Sequence, residues 1–311
     1  MCHRVFTFEL VNNNNNHTIF LLHCVRHILF YSIITLSLFC SAARAEHDSV
    51  NTVSVTRLAG IGGITAAGFI YGHGLQNNLW WKGEKTSFYV NTHRDWEYAL
   101  GADKLGHCFF ASMVSTTYSH LFQWSGVDTL TSLYAGAGIA LTYQTYIEIR
   151  DGFSRDNGGG YLGFSPGDMV ANTVGAAIPL MKYYLPSLQP FSLQISFDWK
   201  QYDPQRYSAI IDDYENTTHW LSIGSEAFIP VSWRNSWYPS WIGLSLGHSV
   251  QQLNGYGGGT HELYLSLYWD IRKIPVSGGL WDSIIAFASQ YRLPAPAIRI
   301  LPEITWYGLK L

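Results

Sequence analysis

Apolar positions change period once along this 311-residue chain. From Glu46 to about Pro190 they recur at helical spacing, and from Phe191 to Leu311 they mostly alternate with polar ones. The first part predicts four helices, over Leu58–Tyr71, Leu105–Val127, Thr129–Ile147 and Pro166 to about Leu185. The second and third contain no Asp, Glu, Lys or Arg. The fourth has the best-marked start: Ser165 can cap, Pro166 suits the first helical position, and the carboxylate of Asp168 favours the dipole. In the first, small residues four apart at Ala59, Gly63 and Ala67 predict close approach by another helix.

The second part predicts strands within Phe191–Trp199, Trp220–Ile229, Ile242–Val250, His261–Ile271 and Ile304–Leu311. Asn254–Gly259 reads as a hairpin loop, Trp281–Gln290 as a short helix and Leu293–Ala297 as a rigid connector. Five or six strands are too few for a complete membrane barrel, whose small members have eight. The fold class is therefore α+β: an N-terminal four-helix, membrane-associated bundle (46–190) followed by an antiparallel β-sheet region with one short helix (191–311). The second helix carries Ser112, Ser115, Thr116, Thr117, Ser119, His120 and Gln123. Such groups are costly against lipid and satisfiable inside a bundle. Membrane-embedded helices and a bundle lying on the membrane both stay open.

Residues 1–45 read as a leader, with a membrane anchor that stays attached as the alternative: Arg26 and His27, an apolar run from Ile28 to Cys40, and an A-x-A cleavage site ending at Ala45. Its removal takes away every cysteine except Cys108, so no internal disulfide is predicted. It also leaves 16 basic and 21 acidic residues, a net charge of 16 − 21 = −5. That excludes nucleic acid as a partner class. With 47% hydrophobic, 15% aromatic and only 13% charged residues, the chain lies far from the roughly 25% charge of soluble domains. Membrane lipids or other envelope components are the expected partners.

Scarcity of charge makes the charged positions in the helical half conspicuous. Asp103 and His107 are four apart with Lys104 between them; Gln144, Glu148 and Asp151 follow i, i+4, i+7 spacing; Asp168 and Asn172 are again four apart. If these faces converge, the carboxylates offer hard oxygen donors and His107 a nitrogen ligand or a general acid and base. In that reading His107, Glu148 and Asp168 are catalytic, while Asp103, Lys104, Gln144, Asp151 and Asn172 bind. In the structural reading Asp168 caps, Asp103 pairs with Lys104, and His107 is a satisfied bundle residue. The Gly-rich stretch Asp151–Asp168 lacks P-loop order, and no G-x-S-x-G elbow occurs. His73, His93, His120 and His248 stand alone in the sequence.

Taken together, DKLGH (Asp103–His107), QTYIEIRDGFS (Gln144–Ser154) and GFSPGDMVANTVG (Gly163–Gly175) resemble an uncharacterised bacterial envelope family that includes YfiM-like predicted periplasmic lipoproteins. More distantly they are similar to VanZ-like membrane proteins. The resemblance spans roughly Ala99–Leu185. It implies an envelope location and groups Asp103, Lys104, His107, Glu148, Asp151, Asp168 and Asn172 into one set, with no implied reaction, substrate or cofactor. Longer members share a strand-rich tail with an LPAPA-like segment, here Leu293–Ala297. The chain departs from the lipoprotein members at Cys40, where Leu38 and Phe39 are too bulky for a lipidation site.

The expectation is an exported, membrane-associated envelope protein with a binding or scaffold role, located in the periplasm or at a membrane, the outer one included. The alternative is a cation-dependent hydrolase or transferase for a lipid-linked or cell-wall substrate, with a divalent cation as cofactor.

Overall fold

A computed structural model describes residues 52–92, 94–155, 162–199, 210–255, 257–275 and 279–311, the side chains of 279–283 excepted. The predicted leader, His93 and residues 156–161 of the Gly-rich stretch lie outside them. Four helices come first: α1 (Val55–Leu79), α2 (Ala102–Trp124), α3 (Thr129–Gly152) and α4 (Pro166–Tyr184).

Small residues let α2, α3 and α4 pack closely. Ala111, Ala140 and Ala176, all fully buried, form their common core. Gly136 lies against Ser115 and Ser119, and a Cβ on Gly175 would stand 2.1 Å from the Cys108 carbonyl oxygen, so the α2–α4 crossing requires glycine there. The hydroxyls of α2 are satisfied inside this packing. Ser115 donates to the Ala176 carbonyl at 2.9 Å and Ser119 to the Ser115 carbonyl at 2.8 Å.

α1 buries only Ile61 and Gln76. The close approach predicted at Gly63 does not occur, since a Cβ there would meet nothing within 4 Å. Small side chains permit contact without compelling it. α1 instead meets α3 further along, where the Tyr143 hydroxyl approaches Gly72 and Phe69 stacks on Tyr146 at 4.8 Å between ring centres. Among the described residues α1 is the one helix long and apolar enough, by length and composition, to cross a membrane. α2 and α3 are long enough but not apolar enough.

The entry to α2 is unusual. Ala99, Leu100 and Gly101 all have positive φ, at 46°, 53° and 78°. Left-handed backbone costs an L-residue about 1–2 kcal/mol. Here Ala99 and Leu100 are held by packing with Val250, Tyr214 and Leu253.

Six strands follow as an antiparallel meander in sequential order: β1 (Phe191–Phe197), β2 (Thr217–Ile223), β3 (Ile242–Gln251), β4 (Thr260–Trp269), β5 (Ala295–Leu301) and β6 (Thr305–Lys310). Two expectations need correction. The strand expected over Trp220–Ile229 starts earlier and stops at Ile223, because Gly224 leads into the tight turn Ser225–Ala227. Leu293–Ala297 is no mere connector: Ala295 opens β5, and the β5–β6 register shifts between Ala295 and Ala297, where Pro296 has no N–H to give. The predicted short helix is present as α5 (Gly279–Ala288).

The polarity of the sheet is inverted relative to a water-soluble one. The buried face carries Gln194, Ser196, Trp220, Ser222, Ser245, Tyr264 and Ser266. Ser222 and Ser245 share a 2.6 Å hydrogen bond, Trp220 donates to Ser196 at 2.9 Å, and Gly247 leaves room for the Trp220 ring. Arg292 reaches in over Trp220 at 4.7 Å and donates to Ser266 at 2.7 Å. The aliphatic residues occupy the other face. There α2 covers the β1 portion, packing Phe109 on Ile195 and Phe197.

Candidate functional site

The charged residues singled out by their spacing converge at the ends of α2, α3 and α4 around Lys104. Its ammonium lies 2.8 Å from Asp168 Oδ1, 2.9 Å from Asp95 Oδ1 and 3.2 Å from Asp103 Oδ2, with all four side chains buried. Each carboxylate holds a different piece of chain. Asp95 accepts from the Gly167 N–H at 2.8 Å and from the Ser165 hydroxyl, so it sits on the N-terminus of α4. Asp103 accepts from the Tyr214 hydroxyl at 2.6 Å, tying α2 to the segment before β2. Ser165 caps α4 by accepting from the Asp168 N–H at 2.9 Å, and its own N–H donates to Glu148 Oε2 at 3.0 Å. Asp151 accepts from the Trp81 indole.

His107 stands among the acids. Its Nε2 is 3.7 Å from both Asp103 Oδ1 and Asp168 Oδ1; its Nδ1 is 3.8 Å from Glu148 Oε1 and 3.2 Å from Asn172 Oδ1. Its side chain is 20% exposed, the most open of the group formed with Asp95, Asp103, Lys104, Glu148 and Asp168. Gln144 is buried one turn before Glu148. Glu148 Oε1 and Asn172 Nδ2 are buried without a hydrogen-bond partner.

Electrostatics divide the carboxyls into two kinds. Burial pushes Glu148 up to about 8 and Asp151 up to about 7. Burial and the nearby Asp103 raise Asp168 to about 6. Asp95 and Asp103 are buried too, yet their partners outweigh that effect and hold them below the usual range: Ser165, Lys104 and Gly167 for Asp95, His107, Lys104 and Tyr214 for Asp103. Burial opposes charge on Lys104 and His107 as well, but the surrounding acids raise both. Lys104 thus faces two firmly ionised carboxylates, Asp95 and Asp103, while Glu148 mostly and Asp151 in part keep a proton near neutral pH.

Asp103, His107 and Asp168 offer ligand atoms all within 4.8 Å of one another, a spacing one cation can bridge. The Lys104 ammonium already lies against two of those acids.

Asp95, Trp81 and Tyr214 escaped the sequence reading. Asp95 belongs to a loop and has no helical partner spacing, so the only signal was that a charge-poor half spends an acid just upstream of DKLGH. Tyr214 lies 111 positions from its partner, beyond any local pattern. Two histidines read as isolated have partners: His73 meets the Tyr146 hydroxyl, and His248 Nε2 lies 3.0 Å from His261 Nδ1.

No curated protein and no solved structure matches the chain. Residues 93–184, which contain α2, α3, α4 and Asp95 with every helical residue of the centre, match a family described as predicted periplasmic lipoprotein (DUF2279).

Proposed function

We propose that the protein is an exported scaffold or binding protein of the cell envelope in which the polar centre is a structural hub. The observation that carries this reading is the position of the Lys104 ammonium, in contact with Asp95, Asp103 and Asp168, acids that anchor three different segments. The similarity of residues 93–184 to predicted periplasmic lipoproteins supports the envelope location. Residues 46–190 act in this reading as the helical module and 191–311 as the sheet module, with residues 1–45 as the export leader. α1 would supply membrane association, alongside α2–α4 as the fourth helix of a bundle.

A hub makes a definite demand on stability. His107→Ala and Asp168→Ala lower the melting temperature of the purified protein, and Mg²⁺, Ca²⁺ or Zn²⁺ leaves the wild-type melt unchanged. Unchanged melting of both variants, with loss of a cellular phenotype, overturns the reading.

A second reading is favoured by the unpartnered Glu148 Oε1 and Asn172 Nδ2 beside the partly open His107. In it the centre serves a hydrolase or transferase acting on a lipid-linked or cell-wall substrate. His107 exchanges the proton, Glu148 and Asp168 assist, and Asp103, Gln144, Asp151 and Asn172 orient substrate or a divalent cation. A cation-induced rise in melting temperature, absent in Asp103→Asn, would select this reading over the first.

A further inference from the structure

The aliphatic face of the sheet continues well beyond the part that α2 covers. Strand register sets Leu193, Leu221, Leu246, Leu265, Ile298 and Trp306 side by side in one row across all six strands. Beyond β1 this row opens to solvent: Leu246 is 44% exposed, Leu265 50% and Trp306 76%. Leu244, Ile300 and Leu301 extend the same exposed surface. The face-up positions of β2, β3 and β4 include no Asp, Glu, Lys or Arg. Serines, Trp220 and Arg292 meanwhile lie underneath, hydrogen-bonded to one another or to backbone, and the Tyr264 hydroxyl donates there to the buried Glu262 at 2.7 Å. This polarity, polar and aromatic within and aliphatic without, fits an apolar solvent.

Two further features identify that solvent as lipid. At the end of the band where Ile242 pairs with Trp269, the aliphatic rows give way to rings: Trp241 packs on Trp269 at 5.7 Å between ring centres, and Trp233 on Trp237 at 5.6 Å. Arg234 follows in the adjoining turn, as do two ion pairs, Arg272 with Asp270 at 2.7 Å and Lys273 with Glu226 at 3.3 Å. Aliphatic surface, then indole rings, then charged groups is the order of a bilayer from acyl chain to headgroup. The size of the band fixes the mode of contact. From Ile242 to His248 it rises about 20 Å at roughly 3.4 Å per residue, short of the roughly 25 Å band of spanning barrels.

We propose that the β2–β6 outer face seats in one leaflet of a bilayer, acyl chains covering the Leu246–Leu265 rows and the tryptophan end lying at the headgroups. The full-length protein is mixed with vesicles of phosphatidylethanolamine and phosphatidylglycerol containing a trace of phosphatidylcholine with a diazirine in its tail. After irradiation, labelled residues are mapped by mass spectrometry. Labelling is expected on the peptides carrying Leu244, Leu246, Leu265 and Ile300. In Leu246→Glu/Leu265→Glu it falls about tenfold at the sheet and stays as in wild type on α1, which also reports that the variant is folded. Labelling confined to α1, sheet labelling unchanged in the variant, or a lipid-free dimer that shields these peptides in the presence of vesicles would each overturn the proposal. None of these outcomes depends on whether the polar centre is a hub or a catalytic site.

Discussion

Replacing Lys104 with methionine tests the hub most directly. Methionine keeps most of the side-chain volume and removes the charge, so packing changes little while Asp95, Asp103 and Asp168 lose the ammonium at 2.8–3.2 Å. Removing one partner of a buried ion pair typically costs about 3–5 kcal/mol, because the remaining charge is left desolvated and alone. Three acids face this lysine, although Gly167, Ser165 and Tyr214 still donate to two of them, so the expected loss lies within that range. For a folded unit of this size about 1 kcal/mol moves the melting temperature by roughly 2–4 °C. The expected drop is therefore about 6–20 °C by differential scanning calorimetry, with a matching loss in urea unfolding. Adding Asp168→Asn to Lys104→Met should recover part of the loss, with a coupling of about 0.5–3 kcal/mol in the double-mutant cycle. A loss below about 1 kcal/mol, or additive single effects, would refute the idea that this lysine holds the segments together.

The pH dependence has a worked-out sign. Between the ordinary 4.5 and about 8 the folded protein keeps the Glu148 proton that the unfolded chain releases, so stability falls by about 1.4 kcal/mol per pH unit as pH rises through that window. The raised His107 acts in the same direction: its contribution is complete below about 6.5 and is lost as pH rises through the folded value. The lowered Asp95 and Asp103 act oppositely, stabilising above about 3.8 and losing that contribution as pH falls through their folded values. Thermal melts from pH 4 to 9 should therefore be highest on the acid side, with the alkaline decline flattened in Glu148→Gln; a flat wild-type profile contradicts the assignment. Gly175→Ala should cost about 1–3 kcal/mol or more by overpacking against Cys108, measurable by urea unfolding. Ala99→Gly should instead stabilise by about 1 kcal/mol, since glycine relieves the left-handed backbone; a destabilised variant would show that the packing of the methyl group outweighs the strain.

The helices, the alternating strands and the spacings that single out Asp103, His107, Glu148, Asp151 and Asp168 within each helix were legible in the sequence, because each rests on local periodicity. The centre's organisation was not. Lys104 reads locally as a partner for Asp103, and only the tertiary fold brings Asp95 from a loop and Asp168 from α4 onto the same ammonium. Alternation in the strands likewise identified two faces correctly but could not say which would be buried. The usual assumption places leucine inward, whereas here serine, glycine and large aromatic rings fill the interior. The small residues of α1 misled for a related reason: helix approach depends on what lies opposite, as Gly136 and Gly175 show.

The left-handed turn at Ala99–Gly101 also fixes a chain length. α2 turns by about 100° per residue, and Asp103 and Lys104 point into the centre only because the turn launches the helix at one rotational setting. Asp95, just upstream, is meanwhile pinned to the start of α4 by Gly167. The stretch from Asp95 to Asp103 therefore works as a ruler between two fixed points. One residue more or fewer would swing the lysine out of its ring of acids, so this short connection should tolerate changes of side chain far better than changes of length.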